Sequence, residues 1–350
     1  MDRRFYLDLA AAGLRMPIGT HLVLHEHADH EAIVLDGARL GRVIEETARR
    51  FRVPLALPLM DLKLEKEALL RARGVPATDV DTYHFVEPPE GRAEFRLTPR
   101  MAAVCGAIRM IATTTDLIPV GMGIGPFSLM TKLVSDPIAP VFMAGTGATA
   151  EDDPEIGLIE SLLDHAFETI QAYFAAQMDA GAKAIIVCEP AANSVYFSPN
   201  QLAQGYDVFD RYVMRYHRAL RDRFEARGVD LIFHDCGELQ DGMVQRFATL
   251  DPAMLSLGSS RQLWHDATLL PKSIVLYGNL PTKQFYSDEL MGVERVRQLA
   301  ADLVGRMRAT GHPFILGSEC DVLSVAGREA AIQAKVAAFL DVEPANHSRH

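Results

Sequence analysis

His234 and Cys236 stand two residues apart in the run DLIFHDCG (230–237), and Cys320 closes another apolar run, PFILGSEC (313–320). On a strand, residues i and i+2 face the same side, so an imidazole and a thiolate at that spacing can reach one metal ion. A third donor has to come from elsewhere in the chain, and Cys320 is the candidate. Free cysteine is most often an ordinary buried residue. Cys105, in a helical stretch, and Cys188, inside an Ile/Val run, are read that way. The H-x-C pair with a strand-end cysteine instead matches the three-ligand pattern of an open zinc site. Two thiolates and a neutral imidazole leave Zn2+ close to neutral, which weakens it as an acid for splitting water. The same ligand set can keep a substrate thiolate ionised yet nucleophilic, so alkyl transfer to or from sulfur is the chemistry it favours.

Other polar residues end apolar runs: Asp61, Glu87, Glu189, Ser256, Asn279 and Glu319. The elements that must position them alternate along the chain, a short apolar run followed by a longer stretch of helical period, as in a parallel sheet covered by helices. Eight such runs are expected as strands, at 51–61, 82–88, 118–126, 184–190, 230–237, 253–258, 273–279 and 313–320. Between them, 154–181 carries Ile159, Leu162, Ala166, Ile170, Phe174 and Met178 at helical steps before Gly181. Segment 199–228 opens with Ser198 and Pro199 and closes at Gly228, and 288–310 opens after Ser287 and ends at Gly311. Eight βα units without a linker predict an α/β fold, a (β/α)8 TIM barrel over 51–340. Residues 1–50 are expected as an N-terminal extension packed on it and 341–350 as a flexible tail. In a barrel, strand ends gather round one mouth.

The chain has 350 residues, 49% of them hydrophobic, which supports a large core and excludes a disordered chain. A formal charge of -11 argues against a nucleic-acid or anionic-membrane surface. Four widely spaced cysteines do not form the framework of a small secreted domain. Arg4, Asp8 and Arg15 interrupt any signal-peptide core, and no stretch approaches the roughly 20 apolar residues of a membrane helix. The expected location is the cytoplasm. His21, His25, His27 and His30 mix spacings of four, two and three, which no single helix or strand face satisfies, so they are read as a polar access segment.

The segments VGMGIGPFSLMTKLV (120–134), CEPAANSVYFSPNQL (188–202), FHDCG (233–237), YGNLP (277–281) and FILGSECDV (314–322) give the chain a resemblance to a known family. It resembles the zinc-dependent methyltransferases of the uroporphyrinogen decarboxylase superfamily, which move methyl groups between corrinoid proteins and acceptors such as coenzyme M. The resemblance covers most of the chain and implies zinc ligands at His234, Cys236 and Cys320. It also implies a corrinoid (cobalamin) protein as partner and a small-molecule methyl donor or thiol acceptor. Glu189, Asn279 and Glu319 are the candidates for orientation or substrate hydrogen bonds. GMGIGPF (121–127) lacks the spacing of a dinucleotide loop; Gly123, Gly125 and Pro126 are expected to form a tight turn whose amides face a substrate or corrinoid.

Some relatives add an acidic zinc ligand after the sixth strand, where LSLGSSRQLWHD (255–266) offers serines and, later, Asp266. The fourth position is therefore left to water, substrate, Glu189 or Glu319. The arginine-rich N-terminal motif that holds porphyrinogen carboxylates is absent from RMPIGTHLVLHEHADHEAI (15–33). A metal-free lyase acting on a carboxylated tetrapyrrole, which needs arginines at the mouth, is the alternative enzyme. A non-catalytic metal- or corrinoid-binding protein is the third candidate, and a homodimer is left open.

Overall fold

The computed structural model describes residues 1–342; positions 343–350 of the expected tail lie outside the described residues. Eight strands follow one another in one hydrogen-bonded series: β1 (Arg15–Ile18), β2 (Leu55–Ala56), β3 (Ile118–Ile124), β4 (Ala184–Cys188), β5 (Asp230–Asp235), β6 (Met254–Leu257), β7 (Val275–Leu280) and β8 (Phe314–Asp321). Every pairing is parallel, β1 lies beside β8, and the order runs back from there to β2.

Period-two alternation sorts the side chains. In β4, Ala184, Ile186 and Cys188 join an inner cluster, while Ile185 and Val187 pack with residues of the surrounding helices. That inner cluster draws on all eight strands, from Met16 and Leu55 through Met122, Ile232 and Met254 to Val275 and Ile315. The sheet is thus curled around its own core as a (β/α)8 barrel. Across the seam between β1 and β2, the Thr20 hydroxyl donates to the Leu57 carbonyl at 2.6 Å. Tyr277 fills space beside Gly317, where a Cβ would meet its ring at 2.2 Å, and its hydroxyl donates to the Met16 carbonyl at 2.7 Å.

Two expectations need correction. The run at 82–88 is no strand; Phe85 alone turns inward, its amide bonded to the Leu133 carbonyl. The missing strand comes from the expected N-terminal extension. Residues 15–18 are β1, and Pro17 is tolerated there because β1 is an edge strand, where a missing N–H costs least. Ahead of it, helix Arg3–Ala11 buries Tyr6, whose hydroxyl donates to Asp230 at 3.0 Å, while the Met1 ammonium pairs with the same carboxylate at 2.9 Å. Asp230 opens β5, so this helix closes the N-terminal end of the barrel, opposite the strand ends that carry polar residues.

Helix Pro154–Asp179 is capped by Asp153, and Gly181 follows at φ 112, a conformation that favours glycine. The expected 199–228 helix divides into Pro199–Ala203, a wide turn at Asp210–Met214, and Arg215–Ala226. The expected start at Asp288 moves to Val293, since Asp288 is held in an ion pair with the buried Lys335 ammonium at 2.7 Å. No helix among the described residues is long and apolar enough to cross a membrane.

Candidate metal centre

His234 lies on β5 two residues beyond Ile232 of the inner cluster and is 1% exposed. Its ladder neighbour on β6 is Ser256, whose Oγ sits 2.7 Å from His234 Nδ1. The other ring nitrogen, Nε2, is buried and has no hydrogen-bond partner. Cys236 follows just past the strand end, where Asp235 accepts from the Gly237 amide at 2.8 Å and fixes the turn. Only glycine fits at 258, because a Cβ there would lie 2.7 Å from the Cys236 carbonyl oxygen.

Cys320 reaches the same place through an irregularity in β8. Met16 pairs with Gly317 but Ile18 with Asp321, so two steps along β1 match four along β8. A bulge of this kind re-aims side chains, and it contains Cys320. The donor atoms of His234, Cys236 and Cys320 all lie within 4.8 Å of one another. Zinc bonds of about 2.0–2.3 Å separate tetrahedral donors by roughly 3.3–3.8 Å, so small side-chain movements close the set on an ion. A buried imidazole nitrogen without a partner, facing two thiols, fits zinc.

The two thiols titrate together. Their mutual hydrogen bond, with the His234 ring and Lys283 beside it, pulls the Cys236 thiol well down, and the same bond together with burial pushes Cys320 up. Lys283 was not among the sequence candidates. Partial burial pulls its ammonium down, but the charges of Cys236, Cys320 and Glu319 outweigh that and hold it above its usual value. Met60 was missed as well; its sulfur lies 3.6 Å from Cys320 Sγ.

The remaining candidates surround the trio without joining it. Glu319 is buried and accepts from the Ser259 hydroxyl at 2.5 Å, the Ser259 amide at 3.2 Å and the Lys283 amide at 3.3 Å. It ties together the loops after β6 and β7. Asn279 donates to the carbonyls of Gly258 at 2.7 Å and Arg261 at 2.9 Å, holding the β6 loop from the other side. Glu189, fully buried, accepts from the amides of Phe127 at 3.2 Å and Ser128 at 2.5 Å and lies 2.7 Å from His217 Nε2. Its carboxylate therefore faces the helix layer.

This corrects the expectation for the glycine turn. The amides that follow Gly125 and Pro126 are taken up by Glu189, and a Cβ at Gly125 would lie 2.1 Å from that carboxylate. Gly123 gives room to Phe174 and Glu65. Gly123 and Gly125 serve close packing of backbone on side chain, the Gly125 amide donates to the Cys188 carbonyl at 2.6 Å, and Pro126 has no amide to offer. Asp61 is ion-paired with Arg100, and Glu87 is exposed in a loop. His21, His25 and His30 come together as a row of rings tilted by 38° and 36°, with centroids 4.3 Å apart at each step.

A barrel with its polar groups at the C-terminal mouth defines a broad class of enzymes, and comparison with known proteins narrows it. The model of the uroporphyrinogen decarboxylase (URO-D) family matches residues 71–338, and the chain belongs to that family. Among solved structures, a methyltransferase from Methanosarcina mazei has the same fold, with a TM-score of 0.63 and 17% sequence identity over 93% of this chain and 91% of that one. None of the curated proteins matches this sequence.

Proposed function

We propose that this protein is a zinc-dependent methyltransferase that moves a methyl group between a corrinoid protein and a small thiol, methoxy or methylthio compound. The observation that carries the proposal is the buried, unpartnered Nε2 of His234 beside two cysteine sulfurs. The similarity in fold to a methyltransferase agrees with it.

His234 Nε2, Cys236 Sγ and Cys320 Sγ would hold the ion. Bound there, zinc supplies a Lewis acid that keeps a substrate sulfur deprotonated, while its electron-rich ligands leave that sulfur nucleophilic. Ser256 engages Nδ1 and so directs the Nε2 lone pair toward the sulfurs. Glu319 and Asn279 act as positioning residues for the loops around the ligands. The Lys283 ammonium adds positive charge beside Cys236, favourable for an incoming anion. In the corrinoid-to-thiol direction a docked methyl-corrinoid would supply the methyl group and keep the electron pair of its methyl bond, and His234, Cys236 and Cys320 would hold the zinc that keeps the accepting sulfur ionised. The reverse direction uses the same arrangement.

A corrinoid partner would dock over the loops that follow the strands. Leu35, Phe142, Val195, Leu290 and Leu323 are about half exposed and lie in the connections that follow β1, β3, β4, β7 and β8. Exposed apolar side chains grouped at one face mark interaction surfaces. The decarboxylase alternative draws on the family name, but it needs free arginines at the mouth. Arg100 is paired with Asp61, and Arg261 with Asp241 and Asp266. The proposal includes a cytoplasmic location.

The test is methyl transfer from methylcobalamin to a panel of thiols, followed by the change in corrinoid absorbance. The zinc-loaded protein is expected to turn over, and zinc-stripped protein to lose at least about a hundredfold in rate. Zinc-loaded protein inactive in both directions, with thiols or with methoxy and methylthio donors, would leave a metal-binding protein without this activity.

A further inference from the structure

Cys236 stands one residue past the end of β5, beyond Asp235, the last paired position of the ladder. Its place therefore depends on the turn that follows. That turn lies along the loop after β6, contact by contact. The Gly258 amide donates to the Asp235 carbonyl at 3.2 Å, and the absence of a side chain at Gly258 lets the Cys236 backbone approach. The Ser260 hydroxyl donates to the Gly237 carbonyl at 3.0 Å. Arg261 continues the series onto Leu239 and Asp241.

The whole guanidinium of Arg261 is used. Nη1 donates to the Leu239 carbonyl at 2.9 Å, Nη2 to Asp241 at 2.7 Å and to Asp266, and Nε to Asp266 at 3.1 Å. Leu239 and Asp241 follow β5, whereas Asp266 ends the short helix Leu263–Asp266 after β6. The Arg261 side chain is 11% exposed and the Asp266 side chain fully buried. From the β7 side, Asn279 donates to the carbonyls of Gly258 and Arg261 and braces the same strip. On the solvent side His265 Nε2 lies 2.8 Å from Asp241 and gives the turn a second, exposed hold. Three nitrogens in one plane thus reach acceptors on two loops, a geometry that a planar fork provides and a single ammonium does not.

We propose that Arg261 is a positioning residue for Cys236: it clasps the turn after β5 to the loop after β6 and so sets where the Cys236 sulfur stands relative to His234 and Cys320. The metal that this placement serves rests on the zinc reading, whereas the clasp is a property of the metal-free chain. An ion pair elsewhere on the barrel contributes stability alone. This one holds a turn that begins at a donor atom, and groups that orient metal ligands tune affinity for the metal.

The test compares the full-length wild type with Arg261→Lys, with Asp241→Asn, and with Arg227→Lys as a control that loosens the ion pair to Asp179 at the opposite end of the barrel. Three readings are taken: amide hydrogen exchange of 237–241 in metal-free protein, zinc affinity by chelator competition, and the thiolate-to-cobalt charge-transfer absorbance of the cobalt(II)-loaded protein. Arg261→Lys is expected to speed exchange across 237–241 at least about tenfold and to weaken zinc about 10–100-fold. Its cobalt absorbance is expected to fall toward that of Cys236→Ser. Asp241→Asn keeps the buried pair of Arg261 with Asp266, so the fold is retained, and it is expected to move the same readings in the same direction by less. Adding it to Arg261→Lys is expected to change little further, because the two residues act through one contact. Arg227→Lys is expected to match the wild type in all three readings. A lower melting temperature for Arg261→Lys with unchanged exchange and cobalt absorbance would make it a structural residue only and overturn the proposal, as would an equal effect of Arg227→Lys. A wild type that takes up neither zinc nor cobalt(II) would remove the zinc reading. The exchange data would then decide the clasp alone, faster exchange in Arg261→Lys supporting it and unchanged exchange overturning it.

Discussion

His234 Nδ1 lies 2.7 Å from Ser256 Oγ, while Nε2 of the same ring is buried and unpartnered. The two nitrogens have separate duties, one fixing the ring and the other left to bind metal. Partners of this kind contribute about 10–100-fold to metal affinity. Ser256→Ala is expected to fold normally and to weaken zinc binding by that factor in a chelator competition. Unchanged affinity would show that the ring needs no such support.

Glu189 belongs to the packing of the barrel rather than to the mouth. Removing its carboxylate leaves two buried amides and His217 without their acceptor. Glu189→Ala is expected to lose about 3 kcal/mol or more of stability in urea denaturation, while the folded fraction keeps its zinc. A loss under about 1 kcal/mol, or loss of zinc from a stable variant, would contradict this assignment.

Glu65 sits in the helix layer behind β3, where one carboxylate oxygen accepts from the Ile124 amide at 3.0 Å and the other has no partner. Burial raises its carboxyl from 4.5 to about 8. Below 4.5 both folded and unfolded chains hold the proton. As pH rises toward 8 the unfolded chain releases it and the folded chain does not, so the contribution of Glu65 to stability falls across that window. Glu65→Gln removes the effect and keeps an acceptor for Ile124. It is expected to be more stable relative to the wild type at pH 8 than at pH 4, by on the order of 1 kcal/mol or more, measured by denaturation at both values. Parallel stability profiles for the two proteins would show that Glu65 ionises normally.

Much of the barrel was legible because buried parallel strands are short apolar runs between helices of clear period. Seven of the eight runs, from 118–126 onward together with 51–61 and excluding only 82–88, contain a strand, and 313–320 contains the late cysteine. β1 was hidden because RMPI has four residues and a proline, and only its place beside β8 makes it a strand. The trio was legible through the i, i+2 rule and the mouth of the barrel. The roles of Glu189 and the glycine turn were not, since nothing in CEP or GIGPF says whether a carboxylate turns toward the mouth or back into neighbouring amides. Lys283 and Met60 lie on loops without a motif, and the row formed by His21, His25 and His30 depends on turns between short helices rather than on one repeating face.

The most direct measurement is zinc stoichiometry by elemental analysis on purified wild-type protein and on Cys236→Ser/Cys320→Ser. The account predicts close to one zinc per wild-type chain and loss of it in the folded double variant. A folded wild type that carries no zinc and takes up none when it is added would contradict the central claim.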